Sequence, residues 1–424
     1  MLTEMKADDK TIPALVPYTA FPYSTTHADH DVDGSRSSWK KLSLGTIICC
    51  LEAETTPSGA PWNADLLRLL DRCSKERDYG LALRLHTYMC NNGFEVHPAL
   101  GNHLILMLLE AKRISDARRI FDSLQTPDEC SWNSLIVGYV RYGQPKNAIL
   151  LYKRMQNESH ICPSARTFAS LFKACAKLKD LEMGHKLHSK VVENGWLKKS
   201  LFVGSSLIDM YAKCRSLEKA QAVFDNLPNV DVVSWNALIA GYVNHDRSCE
   251  ALEYFEQMQL EGIIPNAITY VFTLKACASV GNAWKGEKIH AEIARRGLLE
   301  RHVIVGNALV DMYAKCGLLG KAQEVFNHLL VRDVVSWNSL IAGYVNLDHG
   351  KEAINCFEVM LHEGASPDAI TFIHILKACH SIEAMDKVPH IHVEIARNGL
   401  LERNIDVGNA LVDSYATCGM VAKA

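Results

Sequence analysis

Two short spacings in this chain of 424 residues have the form of chemistry. His290-Ala291-Glu292 and His392-Val393-Glu394 each set an imidazole and a carboxylate two residues apart. That is the opening half of a site in which zinc activates water and a glutamate moves the proton; the other half, Pro-Cys-x-x-Cys, completes the ligand set. None of the 14 cysteines stands in Cys-x-x-Cys spacing, and no Cys/His set has zinc-finger spacing. His188 and His86 hold the same relative place with no glutamate two residues on. The triplets therefore read as helix surface or packing, with no catalytic residue, no metal and no cofactor, and the chain as not an enzyme. Cys175, Cys277 and Cys379 recur at one place, as do Cys214, Cys316 and Cys418. A nucleophile seldom appears in every copy of a repeat, whereas a small buried hydrophobe does.

The elements that carry these residues are repeats. "DVVSWNALIAGYVN" from Asp231 returns as "DVVSWNSLIAGYVN" from Asp333, 102 residues later, with a looser copy, "ECSWNSLIVGYV", from Glu129. "TFASLFKACA" at Thr167 returns at Thr269 and Thr371, and "VGSSLIDMYAKC" at Val203 returns at Val305 and Val407. The super-repeat divides into units of 35, 36 and 31 residues, clearest at 232–266, 267–302 and 303–333. Extended along the chain, the register gives 62–97, 98–128, 129–164, 165–200, 201–231, then those three, then 334–368, 369–404 and a partial unit 405–424. Periods of this size mean a solenoid, each brick burying its apolar face against its neighbours.

Each brick reads as two helices. Trp235, Leu238, Ile239 and Tyr242 fall at i, i+3, i+4 and i+7, one helical stripe. Ser234 reads as an N-cap. Ala251, Phe255 and Met258 repeat the spacing, Gly262 and Pro265 stop that helix, and Gly317 and Gly419 sit at the turn inside the short unit. Trp132, Trp235 and Trp337 could stack a base, but their place on the stripe favours core. No strand-like alternation competes, so the fold class is all-α.

One place in each unit breaks the stripe. The fifth residue of the 35- and 31-residue units is polar: Asn102, Asn133, Ser205, Asn236, Asn307, Asn338, and Asn409 in the broken unit. In the 36-residue units it is apolar: Leu66, Ala169, Val271, Ile373. Such a residue could cap its own turn, or it could face a ligand.

These phrases, with the 35-36-31 cycle, resemble the pentatricopeptide repeat family in its plant triplet form of standard, long and short motifs, over about residues 62–424. The resemblance implies a right-handed superhelical α-solenoid of helix-turn-helix repeats that binds single-stranded RNA, one base per motif, two side chains choosing the base. Carried over, the fifth residue pairs with the last of its motif: Asn102 with Asp128, Asn133 with Ser164, Ser205 with Asp231, Asn236 with Asn266, Asn307 with Asp333 and Asn338 with Asp368. It implies a place in organellar RNA processing, as the recognition part of C-to-U editing in mitochondrion or plastid, with a deaminase or other editing factor in trans. The chain ends inside a short motif, before the extension motifs and deaminase that such proteins carry, so it reads as a piece of a longer protein. The alternative is a protein-interaction scaffold with a peptide in the concave face.

Composition bounds these readings. Net charge is −3, so any polyanion must be met by local groups. Residues 1–61 read as a flexible lead with one short helix near 41–52. The first 35 residues carry Lys6 and Lys10 against six acidic residues, unlike an organellar transit peptide. The cysteines read as reduced. No run reaches the roughly 18 apolar residues needed to cross a membrane, so none is expected as a partner. We expect metal analysis of the purified protein to find no stoichiometric zinc; about one zinc per chain, lost on His290→Ala or His392→Ala, would overturn this reading of the triplets.

Overall fold

The computed structural model describes residues 63–76, 79–92, 98–158, 161–384 and 386–417. The expected lead 1–61, its short helix, Cys418, Gly419 and the end of the partial unit lie outside them. Among the described residues every element is a helix. Residues up to 92 form one unit, in which Asn63–Glu76 pairs with Tyr79–Asn91 and buries Leu66, Leu70, Cys73, Leu85 and Met89.

The second unit, from residue 93 on, is a stack of helix pairs. The first helices are Pro98–Glu110, Glu129–Arg141, Ala165–Leu178, Leu201–Lys213, Val232–Asn244, Ala267–Val280, Val303–Lys315, Val334–Asn346, Ala369–Ser381 and the unpaired Ile405–Thr417. Each packs on the first helix of the next pair and on its own second helix, which is the connectivity of a solenoid. The second helices differ in length. Pro145–Glu158, Ser248–Leu260 and Gly350–His362 run 13 or 14 residues, whereas Ile114–Ser123, Leu217–Asp225 and Leu319–His328 run 9 or 10. The 31-residue spacing therefore arises from a missing helical turn.

The stripe seen in sequence is the core. Trp132, Trp235 and Trp337 are at most 2% exposed. Each meets, edge to face, a phenylalanine of the preceding pair's short second helix: Phe121, Phe224 and Phe326, at 4.7, 4.6 and 4.5 Å between centroids. That geometry suits the ring quadrupoles and repeats every 102 residues or so. These tryptophans are not available to a ligand.

The turns inside the pairs are more demanding than the sequence shows. All nine pairs of the second unit place one residue in the left-handed region, where glycine is the default. Only Gly143, Gly281 and Gly317 are glycines; Lys112, Lys179, Arg215, Asp246, Asp348 and Glu383 adopt the same conformation at φ of 56–61°. The following N–H then reaches back to a carbonyl five residues earlier, as from Ser216 to Tyr211 and Leu318 to Tyr313, so that bond offsets the strain.

Close packing of first helices needs small residues where they cross. A Cβ on Gly343 would stand 2.5 Å from the Cβ of Ala314, which has no rotamer to yield. We expect Gly343→Ala to destabilise the protein by about 1–3 kcal/mol. Gly320→Ala, with open space around a helical glycine, should be neutral or stabilising by up to about 1 kcal/mol. Urea denaturation followed by circular dichroism checks both; equal effects would contradict the packing account.

Candidate ligand-reading face

Each first helix of the standard and long pairs starts on an N-cap, and that cap is the last residue of the preceding motif. Asp128, Ser164, Asp231, Asn266, Asp333 and Asp368 sit in extended backbone and accept the N–H three residues on. A side-chain oxygen there satisfies one of the donors a helix start leaves open. This corrects the reading of Ser234 as a cap. The helix begins at Val232, Asp231 caps it, and Ser234 lies one turn inside, donating its N–H and its hydroxyl to Asp231 Oδ1 at 2.9 Å.

The same cap side chains meet the fifth residues of the preceding first helices. Asn102 Nδ2 donates to Asp128 at 2.8 Å, Asn236 to Asn266 Oδ1 at 3.1 Å, Asn307 to Asp333 at 3.0 Å and Asn338 to Asp368 at 2.9 Å. Four of the six expected pairs are therefore in direct contact, across 26 or 30 residues of chain. Three of the four amide oxygens are held too, and Asn307 Oδ1 is buried without a partner. Thr269 Oγ1 donates to Asn236 Oδ1 at 2.7 Å and Thr371 Oγ1 to Asn338 Oδ1 at 2.6 Å, and Ser131 Oγ donates to Asn102 Oδ1. These asparagines are 7–8% exposed, so they lie in the wall of the face rather than on it. Each amide still has a second N–H, and each Asp cap has lone pairs to spare.

Two expected pairs are not joined. Asn133 and Ser164 make no direct bond: Ser164 is too short to cross, and Thr167 bridges them, donating to Asn133 Oδ1 at 2.6 Å and lying 2.9 Å from Ser164 Oγ. Ser205 turns back to its own helix and donates to the Phe202 carbonyl at 3.2 Å. It alone behaves as a residue bonding its own turn; Asp231 is left to its cap. Asn409 is exposed. In the long motifs Leu66 and Ala169 are buried, and Val271 and Ile373 are half-buried.

A second row went unnoticed in the sequence. The second residue of successive first helices is apolar and exposed: Phe202, Val233, Ile268, Ile304, Val335 and Ile370, each 40–52% open. It lies three residues before the fifth, on the same helical face. Its signal was there, an apolar residue in six successive units that falls off the buried stripe, although Arg166 and Asp406 hold the same place elsewhere.

Lysines stand one turn beyond the apolar fifth residues. Lys173, Lys275 and Lys377 are exposed, and none has a carboxylate partner among the described residues. Lys173 Nζ lies 5.6 Å from the ring centre of Phe202, which puts it beside the apolar row.

The chemistry-bearing spacings find ordinary partners. His290 Nδ1 lies 2.9 Å from Tyr313 Oη and His392 Nδ1 3.1 Å from Tyr415 Oη, as His188 does from Tyr211 at 2.9 Å. Burial holds His188 and His290 below the usual imidazole range. Glu292 pairs with Arg296 and Glu394 with Arg397, both at 2.6 Å. Cys175 and Cys277 are buried and pushed up to about 12, so neither is a thiolate at neutral pH. Among the described residues no three His, Cys, Asp or Glu side chains converge as a metal site, and no helix is long and apolar enough to cross a membrane.

Comparison with known proteins agrees with this architecture. Sequence models described as PPR repeat family and PPR repeat match 127–177, 230–279 and 332–381, and 166–196, 205–229 and 307–334, together just over half the chain. A chloroplastic pentatricopeptide repeat-containing protein of Arabidopsis thaliana is 35% identical over 356 residues, 84% of this chain and 57% of the relative. A mitochondrial one is 34% identical over 335 residues, 79% of this chain and 32% of the relative. The chain thus spans well under two thirds of either. The crystal structure of maize PPR10 in complex with an 18-nt psaJ RNA element superposes at a TM-score of 0.52 and 18% identity, covering 82% of this chain and 57% of that one, a likeness of fold.

We expect Asp368→Ala to lose about 1–2 kcal/mol of stability without any ligand, because it removes a cap and a partner of a buried amide together. Asp368→Asn, which keeps the accepting oxygen, should lose far less. Hydrogen exchange at the Thr371 amide reports it: unchanged protection in Asp368→Ala would contradict the double role.

Proposed function

Because the chain belongs to the pentatricopeptide repeat family, we propose that its repeats bind single-stranded RNA and read it one base per motif. The division into units 98–128 to 369–404, with 62–97 before them, is part of this reading. The observation that carries it is the joined pair of fifth residue and following cap. In Asn/Asp pairs, what remains outward is one amide N–H and one carboxylate lone pair. Side by side they match uracil, which presents a carbonyl oxygen next to N3–H. In Asn236/Asn266 the cap oxygen is used inward and both outward groups are N–H donors. Two donors match the O2 and N3 acceptors of cytosine better than uracil.

The rest of the face suits the same ligand. The exposed row from Phe202 to Ile370 offers apolar surfaces against which bases can lie. Lys173, Lys275 and Lys377 offer charge to phosphates, which a chain of net charge −3 must supply locally. A peptide groove would have no use for an amide and carboxylate pair recurring in alternate bricks, and this sets the scaffold reading second. We place the protein in organellar RNA processing, as the recognition part of C-to-U editing with a deaminase or other factor in trans. What supports that is the resemblance to triplet-type members and the mitochondrial and chloroplastic names of its relatives.

The predicted element, in the parallel sense, is 5′-U-C-n-G-Y-n-U-U-3′. Asn102/Asp128 reads U, Asn133/Ser164 C, Ser205/Asp231 G, Asn236/Asn266 a pyrimidine, and Asn307/Asp333 and Asn338/Asp368 each U. The positions marked n face the long motifs. The unjoined geometry of Asn133/Ser164 and Ser205/Asp231 makes their positions the least selective of the six. A wrong base at a joined pair should cost roughly 1–3 kcal/mol. Randomised-RNA selection tests the reading: the element should be enriched, and Asn338→Thr should move the final position from U toward G and no other. An unrelated motif, or no change on Asn338→Thr, would contradict it.

A further inference from the structure

At Asn102, Asn236 and Asn338 the hydroxyl that holds the amide oxygen belongs to the next motif, and it closes a ring. In the Asn338 ring, Asn338 Nδ2 donates to Asp368 Oδ1 at 2.9 Å, and Asp368 Oδ1 accepts the Thr371 N–H at 2.9 Å. Thr371 Oγ1 accepts the Asp368 N–H at 3.1 Å and passes its one proton to Asn338 Oδ1 at 2.6 Å. Asn236, Asn266 and Thr269 form the same ring at 3.1, 3.1, 3.1 and 2.7 Å. Asn102, Asp128 and Ser131 form it a third time. The hydroxyl accepts the cap N–H, and its one proton goes to the amide oxygen, the nearer of two acceptors; the other is the cap oxygen, at 3.0 Å for Thr371, 3.1 Å for Thr269 and 2.9 Å for Ser131.

We propose that Ser131, Thr269 and Thr371 are positioning residues for base choice, fixing the amide of the preceding motif's asparagine so that three side chains, not two, set the base. This rests on the RNA reading above. A half-turn of the Asn338 amide would set its oxygen against the Asp368 carboxylate, acceptor against acceptor. It would also leave Thr371 facing an N–H₂. With the hydroxyl gone, Oδ1 is an orphan in a wall almost closed to water, and the cheapest partner is a donor on the ligand. Cytosine has one at C4, its exocyclic amine, where uracil has a carbonyl oxygen; uracil's N3–H is already matched to the Asp368 carboxylate. The hydroxyl thus suppresses cytosine at an Asn/Asp pair. Thr269 and Thr371 are fully buried, so neither touches RNA itself.

The chain contains its own comparison. Asn307/Asp333 is the same pair as Asn338/Asp368, but Ser336 there donates to the Asp333 carbonyl at 2.7 Å, and Asn307 Oδ1 is buried with no partner. Serine rotates freely at χ1, whereas β-branched threonine is held to fewer rotamers. The open ring should read U less strictly than the closed one, with identical selecting residues.

The test uses the full chain and two labelled octamers, 5′-UCAGCAUU-3′ and the same sequence with C as its last base, in fluorescence anisotropy, with further octamers carrying C at the first or the seventh base for the ratios at those positions. Wild type should prefer the U form by about tenfold, the scale of one net hydrogen bond. Thr371→Val, isosteric but without the hydroxyl, should bring that ratio below about twofold while the ratio at the first U is unchanged. Thr371→Ser should retain it. A Thr371→Val protein with the wild-type ratio overturns the proposal, even if its melting point falls. Should Thr371→Val lose its helicity, Ser336→Thr carries the test: closing the Asn307 ring should raise the U-over-C ratio at the seventh base, and no rise overturns the proposal. A wild-type protein that binds neither octamer, or binds without base preference anywhere, fails differently, since that outcome removes the RNA reading beneath the proposal.

Discussion

A helix start must dispose of N–H groups that have no partner of their own. Ahead of six first helices that requirement is met by the last residue of the preceding motif, and the structure there follows from how few side chains can do it. Asp, Asn or Ser at that place caps the helix, and at Asp128, Asn266, Asp333 and Asp368 a side-chain oxygen of the cap also accepts from the fifth residue of the helix before. The carboxylate of Asp128, Asp333 or Asp368 is therefore a folding group and a candidate reading group at once. A repeat can vary its reading only within the set of residues that still cap.

Two surfaces of the first helix are thus kept apart. The stripe of Trp235, Leu238 and Ile239 is devoted to burial, and each tryptophan is matched to a phenylalanine one motif earlier. The face at the second and fifth positions carries what is left: apolar side chains half-open to solvent beside amides mostly closed to it. Burial of those amides is what gives their orientation meaning. An exposed asparagine could turn to suit any base, whereas one held at both ends presents a fixed donor.

The repeat and its helix pairs were legible because the core stripe recurs with helical spacing and unequal but strict periods. The fifth and last residues could be named for the same reason. Their joining could not, because it depends on reach. Asn with Asp spans the gap, Asn with Ser does not, and Ser205 finds its own carbonyl first. Ser234 passed for a cap because the cap and the residue three on are both small and polar, and here Ser234 donates twice to the true cap, Asp231. The left-handed turns at Lys112, Arg215 or Glu383 left no trace in residue type; position between two packed helices imposes them against preference. The apolar second residues were visible but unremarked, since a search for buried stripes passes over residues that fall outside one.

The account stands on order: successive joined pairs must meet successive bases in one direction. Equilibrium binding of 5′-U-C-n-G-Y-n-U-U-3′ against the same bases reversed, 5′-U-U-n-Y-G-n-C-U-3′, holds length, charge and composition constant. The reversal changes four read positions, two of them at the joined pairs Asn236/Asn266 and Asn307/Asp333, so we expect the forward element to bind at least about tenfold more tightly. Equal affinity for the two would contradict the account, since it would leave a face that holds polyanions without reading them.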